Sequence, residues 1–314
     1  MKTVANSEKP CKKFKPLQGL YQIWQVCWYN FRSWKKNPRI IITFSLAFVL
    51  CFLLTDKAVR FSYEYETIMQ VAEPFVWTFG DSNSILLASL LLILLFSDMP
   101  FLGVGVPYYL MRTTRIKWML GQVLYISLAT IVYMAFVLVS SIIICMKNAF
   151  IGNMWSETGA ILGYSPAGKA VALPSTVKTM EMSTPYECMM TIFLLMLLYT
   201  LLCVFLMFVL NIRKGKFWGI AGVFGFSLYG FLLNPQLFKD ALQLTDEQMY
   251  IANVATGWAS PLQHATYHMH NFGYDLLPRM WMTYVIFGGL ILICFAIAFI
   301  SMRKYNFKFT GGLD

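Results

Sequence analysis

Six apolar segments constrain this chain more than any other feature of its sequence. They occupy residues 40–54, 84–96, 118–145, 188–210, 217–233 and 281–302. A helix needs about 20 apolar residues to cross a bilayer, and backbone polar groups in lipid must pair within the protein. The shortest segment is expected to extend outward through Phe79 or inward through Phe101. The sequence therefore predicts an all-α polytopic membrane protein with six transmembrane helices.

The composition excludes an ordinary soluble domain. Hydrophobic residues make up 58% of the chain and charged residues only 13%, compared with about 25% charged residues in soluble domains. The net charge of +10 is better explained by a membrane topology signal than by nucleic-acid binding. The seven cysteines contain no CxxC pair, which favours small buried residues; a bridge between Cys145 and Cys188 stays open.

Lys and Arg fall mostly on one side of the predicted bundle. Of the 25 Lys and Arg residues, 18 lie in the N-terminal segment, two connecting segments and the C-terminal tail, all on one side if there are six spans. That side is predicted to be cytoplasmic, with both termini. The predicted divisions are a cytoplasmic segment 1–39, a transmembrane domain 40–302 with outer loops 55–83, 146–187 and 238–280, and a cytoplasmic tail 303–314.

Residues 17–34 have the pattern of an amphipathic helix before the first span. Trp24, Trp28 and Phe31 fall at helical spacing on an apolar face, and basic residues follow. This composition is typical of a helix that lies in the membrane interface and contacts lipids. An aromatic extension of the first span is the alternative.

The predicted outer loops carry fewer signals. Residues 147–187 contain several Gly and Pro residues and are expected to form an external cap with little regular structure. Thr245, followed by two acidic residues, predicts a helix start. The three histidines lie close together, and His264 and His268, four residues apart, are candidate metal ligands on one helical face. His270 would point away from them, so polar residues of an outer segment are the favoured interpretation.

Catalytic motifs are missing from the sequence. No GxxxxGK[ST] occurs, so the chain is not expected to bind nucleotide phosphates through a P-loop. No HExxH or GxSxG occurs either. We therefore predict that the chain is not itself an enzyme and holds no cofactor or metal of its own.

Asp98 is an acidic residue lodged between apolar segments. A carboxylate costs about 2.5 to 3.5 kcal/mol at the centre of a membrane helix, and less near its end. Pro100 follows it, so the favoured role is an N-cap of a loop helix. Pairing with Arg112 or Arg115, and ion or proton transfer, are the alternatives.

The connection between the second and third predicted spans is longer than a plain turn requires. It contains Pro and Gly breaks, aromatic residues and basic residues. A short helix parallel to the membrane is predicted there, and an ordinary basic turn is the alternative. The candidate docking residues are Pro107, Tyr108, Tyr109, Met111, Arg112, Arg115 and Lys117.

Taken together, this layout resembles the permease subunits of type-2 ABC exporters, including a loop that ends in RTTRIKWMLGQ at residues 112–122. The resemblance implies that residues 17–34 are a connecting helix, residues 107–117 a coupling helix and residues 257–272 an outer hairpin. It also implies a separate ABC ATP-binding subunit that binds ATP and Mg²⁺, a second permease copy, and a place in a bacterial plasma membrane.

The resulting hypothesis is the membrane half of an ATP-driven exporter. A path lined by Phe, Met and Tyr would suit an amphipathic peptide, a lipid-linked molecule or a hydrophobic drug. A secondary transporter or channel is one alternative, although the predicted spans hold almost no charged residues. A membrane assembly factor or sensor without transport is the other.

Overall fold

The computed structural model describes residues 15–100, 113–171, 176–273, 275–303 and 305. Helix dominates these residues, as predicted. In chain order the helices are α1 (Lys15–Ser33), α2 (Pro38–Glu64), α3 (Glu73–Phe79), α4 (Ser82–Phe96), α5 (Arg115–Cys145), α6 (Glu157–Tyr164), α7 (Pro166–Val171), α8 (Thr176–Met182), α9 (Pro185–Lys214), α10 (Lys216–Leu232), α11 (Pro235–Ala241), α12 (Met249–Ala259), α13 (Pro261–His264) and α14 (Met280–Arg303). Short 3₁₀ turns occupy Trp34–Lys36, Met146–Asn148, Asp246–Gln248 and Tyr267–Met269.

Four helices in the described part of the chain are long and apolar enough to cross a membrane: α2, α5, α9 and α14. Two further spans exist only if each of two bent helix pairs, α3 with α4 and α10 with α11, is counted as one. The polytopic membrane fold is therefore supported, whereas the count of six stays a prediction. Helix α2 has 27 residues and runs well beyond the predicted 40–54, into residues predicted as an outer loop.

Both bent pairs have a local cause. Helices α3 and α4 meet at 89°, because α3 stops at Gly80 and Asp81 takes an extended conformation as the N-cap of α4. Towards Phe79, the second segment therefore continues only across a sharp bend; Phe101, in the alternative extension, lies outside the described residues. Helices α10 and α11 meet at 71°, where Asn234 caps α11 and Pro235 occupies its first turn. Proline cannot continue a helical hydrogen-bond ladder, so the chain turns there.

Helix α9 is the centre of the bundle. In its most apolar stretch, 67% of the residues are buried, against 22–44% in α2, α5 and α14. It packs against α4, α5, α10 and α14. At its start, Glu187 accepts a hydrogen bond from Thr184 N at 3.2 Å, which is one half of a capping box. Gly215, with φ of +99°, ends it and leads directly into α10, a backbone conformation that favours glycine.

The helix predicted in residues 17–34 is confirmed as α1, which packs along the start of α5. Asn30 donates a hydrogen bond to Gln122 Oε1 at 2.9 Å, and Trp34 donates one to Tyr125 Oη at 2.8 Å. Gly121 allows this close approach, since a Cβ atom there would lie 2.6 Å from Val26 Cβ.

The segment predicted to form an external cap, here called the cap, is more regular than expected. Residues 147–187 contain α6, α7 and α8, so the expectation of little regular structure is wrong. Ser156 caps α6 by accepting a hydrogen bond from Gly159 N at 3.1 Å. Serine at this position is a local signal for a helix start, but the Gly and Pro residues nearby favoured the prediction of irregular structure. Strands β1 (Met69–Gln70) and β2 (Ala149–Phe150) join the cap to the bundle as a short parallel pair. The helix start at Thr245 is confirmed by its capping box with Gln248.

Cysteines in the described part of the chain are free thiols. Cys145 and Cys188, the pair left open by the sequence, are both buried and unbridged.

Candidate functional site at one end of the helical bundle

Asp98 lies where the ends of three helices meet. Its carboxylate forms ion pairs with Arg39, in the first turn of α2, and with Lys216 Nζ, at the start of α10, the latter at 2.9 Å. These are not the partners predicted from the sequence, which were Arg112 and Arg115. A helix that Asp98 would cap falls outside the described residues, so the capping role stays a prediction.

The backbone beside Asp98 is held as well. The Asn211 side-chain amide, near the end of α9, donates to Met99 O at 2.7 Å and to Ser97 O at 3.3 Å. Gly219 on α10 makes room for this amide, because a Cβ there would lie 1.8 Å from Asn211 Oδ1. The end of α4 is therefore fixed to both α9 and α10.

Residues 113–117 are fixed on the other flank of the connection. Thr114 caps α5 by accepting from Lys117 N at 3.4 Å. Lys117 Nζ donates to Gln22 Oε1 of α1 at 2.8 Å. Arg115 donates to the backbone oxygens of Arg303, the last residue of α14, at 3.2 Å and of Tyr305 at 3.4 Å.

The segments that were predicted to be cytoplasmic, as far as the structure describes them, therefore lie together at one end of the bundle. Which side of a membrane this end meets stays a prediction. Of the candidate docking residues, the structure describes Arg115 and Lys117. The other five, Pro107, Tyr108, Tyr109, Met111 and Arg112, lie outside the described residues.

Helix α1 adds an aromatic surface next to this connection. Trp24 and Trp28 are 49% and 60% exposed and stack at 6.4 Å. Phe31 turns the other way and packs on Tyr125 at 5.0 Å. A groove of about 730 Å³ runs along the exposed face, lined by Tyr21, Gln22, Trp24, Gln25, Trp28, Tyr29, Arg32 and Thr113.

The histidines are arranged differently from the expectation. His264 ends α13 and His268 lies in the following 3₁₀ turn, so no continuous helix carries both. Instead, His264 Nδ1 and His270 Nε2 meet at Thr283 Oγ1, at 3.0 and 2.9 Å. No group of three potential metal ligands occurs among the described residues.

This His–Thr–His cluster is one proton short when neutral. The outer ring nitrogens face backbone oxygens, at 3.2 Å for His264 with Trp258 and 3.0 Å for His270 with Thr266. Backbone oxygens only accept, so these nitrogens carry the ring protons and both inner nitrogens are acceptors. The single hydroxyl proton of Thr283 can serve only one of them. Burial lowers the pKa of both histidines. Protonating one of them would supply the proton that the contact with Thr283 lacks, so this contact acts against the lowering of the pKa.

His268 lines a second cavity, of about 600 Å³, together with the ion pair between Lys178 Nζ and Asp275 at 2.6 Å. Burial lowers the pKa of His268 to about 4, and the charge of Lys178 acts in the same direction. His268 is consequently neutral at physiological pH.

The neutral His268 predicts acid sensitivity. Between about pH 6.5 and pH 4 the unfolded chain binds a proton there that the folded chain does not. This residue's contribution to the free energy of unfolding is complete above pH 6.5 and falls as the pH drops towards 4. Thermal unfolding in detergent from pH 7 to 4 should therefore show a shallower acid-side decline for His268→Gln than for the unmodified chain. The same decline in both proteins would contradict the assignment.

Glu73 is a buried acidic residue that no sequence pattern indicated. It is 0% exposed, and its carboxylate accepts from Ser156 N at 2.6 Å and from Ser156 Oγ at 2.5 Å. The neighbouring Gln70 side chain bonds Gly152 O and Ala72 N. The Pro that follows Glu73 marks a helix start but gives no sign of burial.

In comparisons with known proteins, no family model, curated protein or solved structure matches this chain.

Proposed function

We propose that this chain is the membrane-spanning permease subunit of an ATP-driven exporter, and that the connection between α4 and α5 receives a separate ATP-binding subunit. The observation that carries the proposal is the fixing of both flanks of residues 101–112. One flank is held by Asn211 and by the ion pairs of Asp98. The other is held by α1 and by Arg303 at the end of α14.

A force applied to the connection would reach several helices through these contacts. Asp98 links it to α2 through Arg39 and to α10 through Lys216. Asn211 links it to α9, the most buried helix. Packed helices with fixed contacts transmit displacements instead of absorbing them. This suits a coupling element that turns partner movement into helix tilting.

The other parts of the proposal follow from the same assignment. The partner would bind ATP and Mg²⁺, since no GxxxxGK[ST] sequence occurs in this chain. The groove on α1 beside Thr113 offers further surface to that partner or to lipid. We further propose that the chain pairs with a second permease copy in a bacterial plasma membrane. The exported cargo would be amphipathic.

Charge reversal in the connection tests the proposal. The first test is whether a neighbouring reading frame encodes a protein with GxxxxGK[ST]; the proposal expects such a protein to co-purify with this chain and to hydrolyse ATP. Arg112→Glu and Arg115→Glu should each reduce ATP-driven transport at least about tenfold, corresponding to ~1.4 kcal/mol, while ATP hydrolysis persists. Arg60→Glu, an exposed arginine near the end of α2, is the matched control and should transport normally. Unchanged transport in both connection variants would contradict the coupling assignment.

Glu73 gives a secondary transporter some support, since buried carboxylates often serve proton relays. Vesicles containing this chain without the ATPase separate the two functions. Uptake driven by a proton gradient, and lost in Glu73→Gln, would favour the secondary transporter. Transport by neither route would favour an assembly factor or a sensor.

A further inference from the structure

A groove lies between three helices at the end of the bundle that contains Asp98. Helices α2 and α10 form its sides and the end of α4 forms its floor. Its volume is about 420 Å³, and it is lined by Arg39, Ile42, Leu94, Ser97, Asp98, Lys216 and Ile220. The groove is basic at the end of the helices and apolar along their length.

The basic part has more positive than negative charge. Among the described residues that line the groove, Arg39 and Lys216 face the single carboxylate of Asp98. Their side chains are 50% and 66% exposed, so N–H groups remain accessible to an anion. Helices α2 and α10 both begin at this place. The negative C-terminal ends of α4 and α9 lie at the same place, so the charge argument depends on the side chains of Arg39 and Lys216 and not on helix dipoles.

The apolar part faces outward. Ile42, Leu94 and Ile220 are 51%, 42% and 38% exposed. Phe224, one turn further along α10, is 50% exposed. Exposed apolar surface of this kind on candidate membrane helices is suited to acyl chains.

We propose that this groove binds an anionic phospholipid. The phosphate group contacts Arg39 and Lys216, and an acyl chain lies along Ile42, Leu94 and Ile220. Basic pockets between membrane helices recognise anionic headgroups. A zwitterionic lipid would bring its own cation towards Arg39 and Lys216, so charge complementarity selects the anionic class. This site does not depend on the exporter proposal.

The test measures lipid selectivity of the purified full-length chain. Phosphatidylglycerol and phosphatidylcholine, presented in mixed detergent micelles, are compared by native mass spectrometry. The Arg39→Gln and Lys216→Gln double variant should bind phosphatidylglycerol about 30-fold more weakly. Each cation contributes ~1 kcal/mol to the attraction, and each 1.4 kcal/mol changes the affinity tenfold. The matched control is Lys57→Gln with Arg60→Gln, which removes one Lys and one Arg near the other end of α2. It should change binding by less than about twofold.

A second variant keeps the charges and fills the groove. Ile42→Trp leaves the ion pairs of Asp98 in place, and should still reduce phosphatidylglycerol retention relative to the unmodified chain. Equal binding of both lipids, or equal loss in the control, would overturn the proposal. Inorganic phosphate that competes as strongly as the lipid would also overturn it, because the apolar part would then contribute nothing. So would efficient disulfide cross-linking of two chains through Ile220→Cys, which would assign the groove to a second copy.

Discussion

Replacing Glu73 with alanine is expected to lower the free energy of unfolding by about 4 kcal/mol. The substitution removes the acceptor of two buried hydrogen bonds from Ser156 and leaves a cavity. Leaving the two buried donors of Ser156 without an acceptor costs roughly 1–3 kcal/mol each, and the cavity adds to this loss. Ser156 is also the N-cap residue of α6. The substitution should therefore loosen the whole segment that contains α6, α7 and α8. Thermal unfolding in detergent measures the loss.

Two further variants separate this effect from simple loss of charge. Glu73→Gln keeps the volume and one accepting oxygen, so its loss should be about half as large or less. Glu157→Ala removes an exposed carboxylate from the first turn of α6 and should cost less than about 1 kcal/mol. If Glu73→Ala unfolds with the same midpoint as Glu157→Ala, the described hydrogen bonds do not stabilise the cap.

Adding one methyl group at Gly121 is expected to separate α1 from α5. A Cβ atom there would lie 2.6 Å from Val26 Cβ and 3.0 Å from Ile23 O, whereas carbon atoms pack at about 3.5–4.0 Å. Helix α1 would have to move by about 1 Å, which strains the bond of Asn30 to Gln122 and that of the adjoining Trp34 to Tyr125. Overpacking costs roughly 1–3 kcal/mol and each lost hydrogen bond about 1 kcal/mol. We expect a total loss of about 3 kcal/mol for Gly121→Ala.

Limited proteolysis within residues 15–33 and thermal unfolding report this change. The matched control is Gly225→Ala in α10, where a Cβ atom would meet nothing within 4 Å. That variant should be neutral or slightly stabilising, because alanine favours helix more than glycine does. Protection of α1 from protease in Gly121→Ala, equal to that in the control, would show that the contact tolerates the methyl group.

The candidate site was only partly accessible from the sequence. Asp98 stood out because charge between apolar segments is costly. The partners of Asp98 in the described structure could not be predicted from the sequence, because Arg39 and Lys216 are 59 and 118 residues away in the chain. The cluster of His264, His270 and Thr283 was hidden for a related reason. The helical spacing rule favoured His264 with His268, but the chain leaves the helix after His264.

By itself, the sequence determined the helical class and the apolarity of the long helices, the presence of α1 before the first span and the capping signal at Thr245. These features depend on neighbours within a few residues, through backbone hydrogen bonds and helical periodicity. Only the tertiary structure decided where α3 and α4 bend and which cations meet Asp98. It alone also decided that Glu73 is buried. Those outcomes depend on groups brought together from distant parts of the chain, and burial is a property of the whole packed bundle.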